Sequence, residues 1–393
     1  MAQTINEVAS ILKTAYLPVM DNQLGIKPSP FIEKIEKRVL KTPKITLGVK
    51  IGLNGGFAFG TETVTPRPGA QRYDNLEVTP KDMYADIQIS DKAIKLGGGG
   101  EASMFNLLDE EVRGSQDAAN FNIGRAAFGN GTGKLCDVTA GTSTNTVTVS
   151  DTRNLMEGLI VDFYADDTAV GGSAAVEGVR IMAVDRKNKT VTFSGAAESV
   201  PKGFMTLQYS YGRELTGLGA IFDDTTTHLY GVEKNGNPWL IPEVRDLSGD
   251  GVTDVALYAG VNEAKRFRGS DIDMILMGDD AFRAYMEYMK LNNTVIVERM
   301  EFVGGATGLI LLVGSQKVVI VNEGFVPNTE AWAVDTKTFR FERTPLDFVV
   351  GQNGAPFNLI NGTSVMRALL ASYGDIVCTR PGGCVKFTNC VPN

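Results

Sequence analysis

The chain reads as an α+β protein built in series. A helical arm leads into a long Gly- and Pro-rich β-ribbon, a long amphipathic helix, an inserted small β-domain and a mixed α/β body. Three observations predict this. Apolar residues recur at helical spacing over 101–128, and short strands with turn signals fill 137–209. Residues 44–96 are strand-like, yet too sparse in apolar side chains to build a core.

Ile5, Val8, Leu12, Ala15, Tyr16 and Val19 keep helical spacing, so the chain is expected to open with an amphipathic helix that Pro18 ends or kinks. Ser29-Pro30 then starts a short helix over Phe31–Leu40, with Pro43 as its stop. Lys44–Leu53 and Leu76–Ile94 read as strands, the second alternating at Ala85, Ile87 and Ile89. Between them lie Asn54-Gly55-Gly56 and Thr63–Arg72, rich in Pro, Gly, Thr and Arg. A two-stranded ribbon is marginal alone in water. With arms of about 18 residues at ~3.3 Å per residue it would reach ~60 Å. A compact chain of this length has a radius of gyration of only ~21 Å. The expected support is therefore another subunit.

Gly97–Gly100 reads as a hinge before a helix over Glu101–Phe128. Met104, Leu107, Leu108, Val112, Ala119, Ile123 and Ala126 line its apolar side, opposite Asp109, Glu110 and Glu111. Gly129-Asn130-Gly131-Thr132-Gly133 closes it. Thr146–Val149, Leu159–Tyr164, Val179–Val184, Thr190–Phe193 and Phe204–Tyr209 are strands of a small barrel or sandwich, with Arg186–Lys189 as a hairpin tip. From Gly212 the elements mix. Val255–Arg268 and Asp279–Leu291 read as helices. Ile272–Met277, Val295–Val303, Leu309–Val313, Val318–Val321, Trp332–Val334, Phe339–Phe341 and Val365–Ser372 read as strands.

The 393 residues are 43% hydrophobic and 21% charged, an ordinary folded composition. The longest apolar runs, Gly308–Val313 and Lys317–Val321, are strand-length, well short of the roughly 20 residues of a membrane helix. Met1-Ala2-Gln3-Thr4 has no basic stretch before an apolar core, so no secretion signal is expected. The net charge of −8 argues against a general nucleic-acid-binding surface. It is uneven, however: residues 1–50 carry +4, which leaves −12 for the remainder. Such a basic arm suits phosphate or an acidic neighbouring subunit.

No motif carries chemistry. Asp246–Asp254 resembles half of a calcium loop, but Leu257 stands where a bidentate Glu is needed, so the segment reads as a turn before a helix. Gly129–Lys134 has phosphate-loop glycines, yet Leu135 replaces the Ser/Thr and the run follows a helix. The single histidine, His228, sits in a threonine-rich loop without a nucleophile elbow nearby. Cys378, Cys384 and Cys390 lie too far apart for a zinc knuckle and read as reduced thiols or a late disulfide. No catalytic, cofactor or metal site is expected.

The order of parts resembles the HK97-fold major capsid proteins of tailed double-stranded-DNA phages. Local echoes are Val78–Ser90 (VTPKDMYADIQIS) ahead of the helix, Phe128–Gly133 (FGNGTG) ending it and Leu215–Ile221 (LTGLGAI) after the insertion. Asp273–Met277 followed by Gly278-Asp279-Asp280 and Phe282 resembles a family strand-to-helix segment.

The resemblance implies an N-terminal arm (1–44) and an extended loop, or E-loop (45–100), holding the ribbon and hinge. A spine helix of the peripheral domain (101–136) and an inserted β-barrel-like domain (137–211) follow. An axial domain with peripheral connections (212–340) and C-terminal return strands and tail (341–393) complete it. It also implies hexamers and pentamers of an icosahedral head around double-stranded DNA, assembled in a host cytoplasm without a membrane. Portal and decoration proteins are implied partners. About 45 residues before the ribbon leave no room for a built-in scaffolding segment, so a separate scaffolding protein is expected. Phe57 and Phe59 are expected to be buried between subunits. Arg67 and Arg72 are expected to meet Asp109, Glu110 or Glu111 of an adjacent spine helix. Two other readings are an encapsulin-like compartment, which shares the fold, and a calcium-stabilised extracellular hydrolase.

Overall fold

The computed structural model describes residues 29–59, 67–91, 101–139, 141–166, 168–195, 198–223, 227–249, 251–292, 299–301, 307–314, 316–350, 357–360 and 362–391; side chains of 101–111, 142, 143, 198, 299–301 and 307 are not described. The expected opening helix, the Gly97–Gly100 hinge, Asp250 and most of Val295–Val303 lie outside these residues.

Ser29 caps a short helix, α1 (Pro30–Lys34), by accepting the Phe31 N–H, and Pro30 occupies the first turn. The helix expected through Leu40 stops at Ile35. Phe31, Ile32 and Ile35 are all buried in the largest core. Beyond them Glu36–Val39 form β1, paired in parallel with residues 340–343 at a sheet edge. Sheet pairing supplies hydrogen bonds that a helix ending before Pro43 would lack.

The ribbon is β2 (Ile45–Gly52) paired antiparallel with β3 (Arg72–Val78). The single strand expected over Leu76–Ile94 is two strands, because Thr79-Pro80 separates β3 from β4 (Lys81–Ser90) and proline cannot donate to a ladder. β4 leaves the ribbon and joins a body sheet. The 8-residue arm of β2 spans about 26 Å at ~3.3 Å per residue, less than half the reach expected.

Helix α2 (Glu101–Ala126) runs 26 residues, about 39 Å at 1.5 Å per residue. Its Val112 packs with Ile87, Ile89 and Leu370. Gly133 (φ 81°) lies so close to the Ser210 carbonyl that a Cβ there would sit 2.6 Å from it. The insertion comprises β5 (Lys134–Val138), β6 (Gly141–Thr144), β7 (Thr146–Thr148), β8 (Ile160–Ala165), β9 (Val176–Asp185), β10 (Thr190–Phe193), β11 (Glu198–Val200) and β12 (Gly203–Leu207). The main sheet runs β5-β12-β8-β9-β10-β7, and a bridge between Val138 and Val149 joins its ends into a barrel. Its separate core holds Phe163, Ile181, Val191 and Met205. The chain enters on β5 and leaves on β12, which pair with each other, so the module hangs from one ladder.

The body follows with α3 (Leu218–Phe222), β13 (His228–Leu229), β14 (Val232–Glu233), β15 (Glu243–Asp246) and α4 (Asp254–Glu263), which continues as a π-helical turn over Ala264–Arg268. Then come β16 (Met274–Met277), α5 (Asp279–Leu291), β17 (Arg299–Glu301), β18 (Thr307–Val313), β19 (Gln316–Asn322) and β20 (Ala331–Val334). The last strands are β21 (Phe339–Arg343), β22 (Asp347–Phe348), β23 (Asn358–Leu359), β24 (Val365–Cys378) and β25 (Val385–Thr388).

Two sheets organise these strands. One runs β15-β25-β20-β16-β19-β18-β17, with β16 buried at every position. Side chains of α4 and α5 fill the core on one face of it, and alternate strand residues pack with Phe31, Phe128 and Phe222 on the other. The second sheet centres on β24. This strand pairs with β4 over Val365–Gly374 and with β21 over Gly374–Cys378. All four cysteines are free and buried. No helix among the described residues is long and apolar enough to cross a membrane.

Candidate assembly surface

The ribbon is rooted, then bare. Ile45, Leu76 and Val78 at its base are buried in the main core, and Leu47 and Val49 pack partly against it. Beyond the half-buried Ile51, the large apolar side chains of the described residues stand bare: Leu53 is 86% exposed, Phe57 83% and Phe59 97%. The two phenyl rings meet edge to face, 5.7 Å between centroids, so they offer one aromatic knob. Gly56 and Gly69 let the arms approach where a Cβ would clash with backbone, and the Asn54 side-chain oxygen Oδ1 accepts the Gly56 N–H at 2.9 Å.

Arg67 and Arg72 are exposed on the returning arm. Among the described residues neither has an ion pair within the chain. Asp109, Glu110 and Glu111 lie on α2, but their side chains fall outside the described residues. One chain thus gathers Phe57, Phe59, Arg67 and Arg72 on the ribbon and holds the acids on a separate element.

Several anchors escape sequence reading because their partners are distant in the chain. Lys34 on α1 reaches Asp273 at 3.0 Å, while Asp273 also accepts the Thr336 amide and hydroxyl. Ser29 donates to the buried Glu323, whose carboxyl is pushed above the usual range by burial. Arg125, at the end of α2, donates through both terminal nitrogens to Glu214, and both side chains are buried. That pair ties α2 to the segment leaving the barrel. Charge was the one signal for Lys34, Asp273, Glu323, Arg125 and Glu214, and Ser29 was legible as a cap but not as a partner of Glu323.

The weaker motifs resolve into local structure. Asp246 accepts from the Ser248 N–H and the Asn389 amide, each at 2.9 Å; the Asn389 bond is the main reason its carboxyl lies below the usual range. Thr253 caps α4, and Asp254 accepts the Tyr285 hydroxyl. These oxygens point to different partners instead of converging, and no cluster of three metal-ligating side chains occurs among the described residues. Gly129–Gly133 turns α2 into the barrel, with Thr132 donating to Asn130. His228 is exposed beside Thr227.

No protein-family model and no curated protein sequence matches the chain. Among solved structures it is similar to the cyanophage A-1(L) capsid asymmetric unit, at 8% identity and a TM-score of 0.55 over 92% of this chain and 93% of that one. The holo-SrpI encapsulin complex from Synechococcus elongatus PCC 7942 aligns at 7% identity and 0.45 over 93% and 88%. Mycobacterium phage Bobi aligns at 10% and 0.45 over 92% and 90%. The fold assignment rests on the first of these. The chain therefore shares the fold of that cyanophage capsid chain.

Proposed function

We propose that the chain is the major capsid protein of a tailed double-stranded-DNA phage. It forms hexamers and pentamers of an icosahedral head that encloses the genome, and its work is structural, without catalysis. The observation that carries this reading is the aromatic knob of Phe57 and Phe59, displayed bare on a ribbon whose root is buried. Such exposed aromatics have no role in the stability of the single chain and suit burial in a neighbour. The fold shared with the cyanophage capsid supports the same reading. Assembly in the host cytoplasm, with a separate scaffolding protein, a portal and decoration proteins as partners, completes it.

In the shell, Arg67 and Arg72 meet Asp109, Glu110 or Glu111 of an adjacent α2. Exposed pairs of this kind are weak individually. Repeated around every ring, they set the angle at which ribbons cross neighbours. Reversing both charges, Arg67→Glu with Arg72→Glu, is expected to give malformed shells or sheets by electron microscopy. Shells of normal size and shape from that variant would refute the pairing.

A further inference from the structure

The sheet that contains β16 has one strongly basic end. β16 begins there, β20 ends there and β25 begins beside them, as their pairings fix. The π-helical turn brings Lys265, Arg266 and Arg268 to that end, Lys337 follows just past β20, and Arg380 stands just before β25. All five side chains are exposed. The net charge of −8 hides this excess, because three separate segments supply it.

The backbone holds these segments together. Gly269, at φ 61°, ends the turn in the left-handed region and reverses the chain. Its carbonyl accepts a guanidinium N–H of Arg380. The Ser270 hydroxyl and the Asp271 N–H then donate to Oδ2 of the buried Asp335 at 3.4 and 3.2 Å. Oδ1 of the same carboxylate accepts the Lys337 N–H at 3.2 Å. The Thr379 N–H donates to the Thr338 carbonyl at 2.9 Å, which ties in the third segment. The cations therefore stand on one surface, set by loops that are pinned to each other.

The acids at this end are engaged. Asp271 takes Lys265 at 3.1 Å, and Asp273 takes Lys34 at 3.0 Å. Among the described residues Arg266, Arg268, Lys337 and Arg380 have no ion pair. Arg266 lies over the ring of Phe267, 5.4 Å from its centroid, and that ring is itself 66% exposed. Offsetting the dipole of α4 needs cations in its last turn only. Lys337 and Arg380 lie off the helix, so that role does not account for them.

We propose that this end of the sheet is a phosphate-binding surface for duplex DNA. Arg266, Arg268, Lys337 and Arg380 neutralise backbone phosphates there without reading sequence. A field of one sign attracts a partner of uniform opposite charge. An acidic patch on a second copy would have to offer carboxylates matched to three separate loops. A duplex presents one negative charge per ~1.7 Å of its axis and meets them in any register. The inference rests on the proposed function in one respect, that the shell supplies the DNA.

Fluorescence anisotropy of a short labelled mixed-sequence duplex, titrated with the full chain over a salt series, tests this. Each phosphate contact contributes about 0.9 to the slope of log affinity against log salt. Arg266→Gln, Arg268→Gln and Lys337→Gln together are expected to lower that slope by about 2.7, and affinity near ~0.1 M salt by about a hundredfold. Arg266→Lys with Arg268→Lys keeps the charges and should bind as the unmodified chain does. Arg186→Gln, Lys187→Gln and Lys189→Gln remove as much charge from the exposed barrel hairpin and should leave the slope unchanged. No salt-dependent binding by the unmodified chain, or an unchanged slope in the first variant, overturns the surface. So does an equal loss in the barrel variant, which would trace binding to net charge alone. Unchanged duplex binding with lost particles also overturns it, and makes this end a contact between copies. If the triple variant does not fold, Arg268→Gln alone decides, with an expected loss of about 0.9 in slope. The anisotropy reads DNA contact whether or not particles form: a chain that never builds shells yet loses slope in the variant keeps this surface, and intact shells with an unchanged slope sink it alone.

Discussion

Replacing Phe57 and Phe59 together by serine is expected to abolish shells while leaving a folded chain. Both rings are at least four-fifths exposed, so the isolated chain loses almost no buried area when they go. In a shell each buried phenyl ring contributes roughly 1.5–3 kcal/mol. Two per contact amount to about 3–6 kcal/mol, or two to four orders of magnitude in the association constant. Shells multiply that deficit over every ring. Sedimentation velocity should show small species only, with an unchanged circular dichroism spectrum and melting temperature. Intact shells would remove the aromatic knob from the account.

The second large effect concerns Arg125 and Glu214. Removing one partner of a buried ion pair leaves the other without its counter-charge, which typically costs up to about 3–5 kcal/mol. Arg125→Met alone and Glu214→Met alone should each lower unfolding stability toward the lower end of that range in a denaturant titration. The double variant should recover most of the loss, since no lone charge remains. Because the pair joins the end of α2 to the segment leaving the barrel, the single variants should also loosen the barrel on its stem. Additive losses in the double variant would mean that the two side chains act separately.

What was legible followed from local periodicity. The 26 residues of α2 carry their own 3.6-residue signature, and the strands of the insertion alternate between turns that any reader of the chain would mark. Glu36–Val39 was not legible as a strand. Its side chains are all exposed, and only the distant edge residues 340–343 make it extended. Pro80 was visible but not its consequence, which is that β4 deserts the ribbon for β24.

The paucity of apolar residues over 45–96 therefore describes only the part beyond Lys50 and Arg72. The root and β4 pack on their own molecule through Ile45, Leu76, Val78, Ile87 and Ile89. On the candidate surface, the sequence set Phe57, Phe59, Arg67 and Arg72 against a neighbouring subunit, and within the single chain all four are exposed. Ser29 with Glu323 and Thr216 with Asp375 were not legible as pairs, being joined across 294 and 159 positions of the chain.

The most direct measurement is electron microscopy of the purified full chain in negative stain, paired with its mass in solution. The account predicts closed, regular particles built from many copies. A single species near 42.3 kDa at every concentration and salt condition would contradict it.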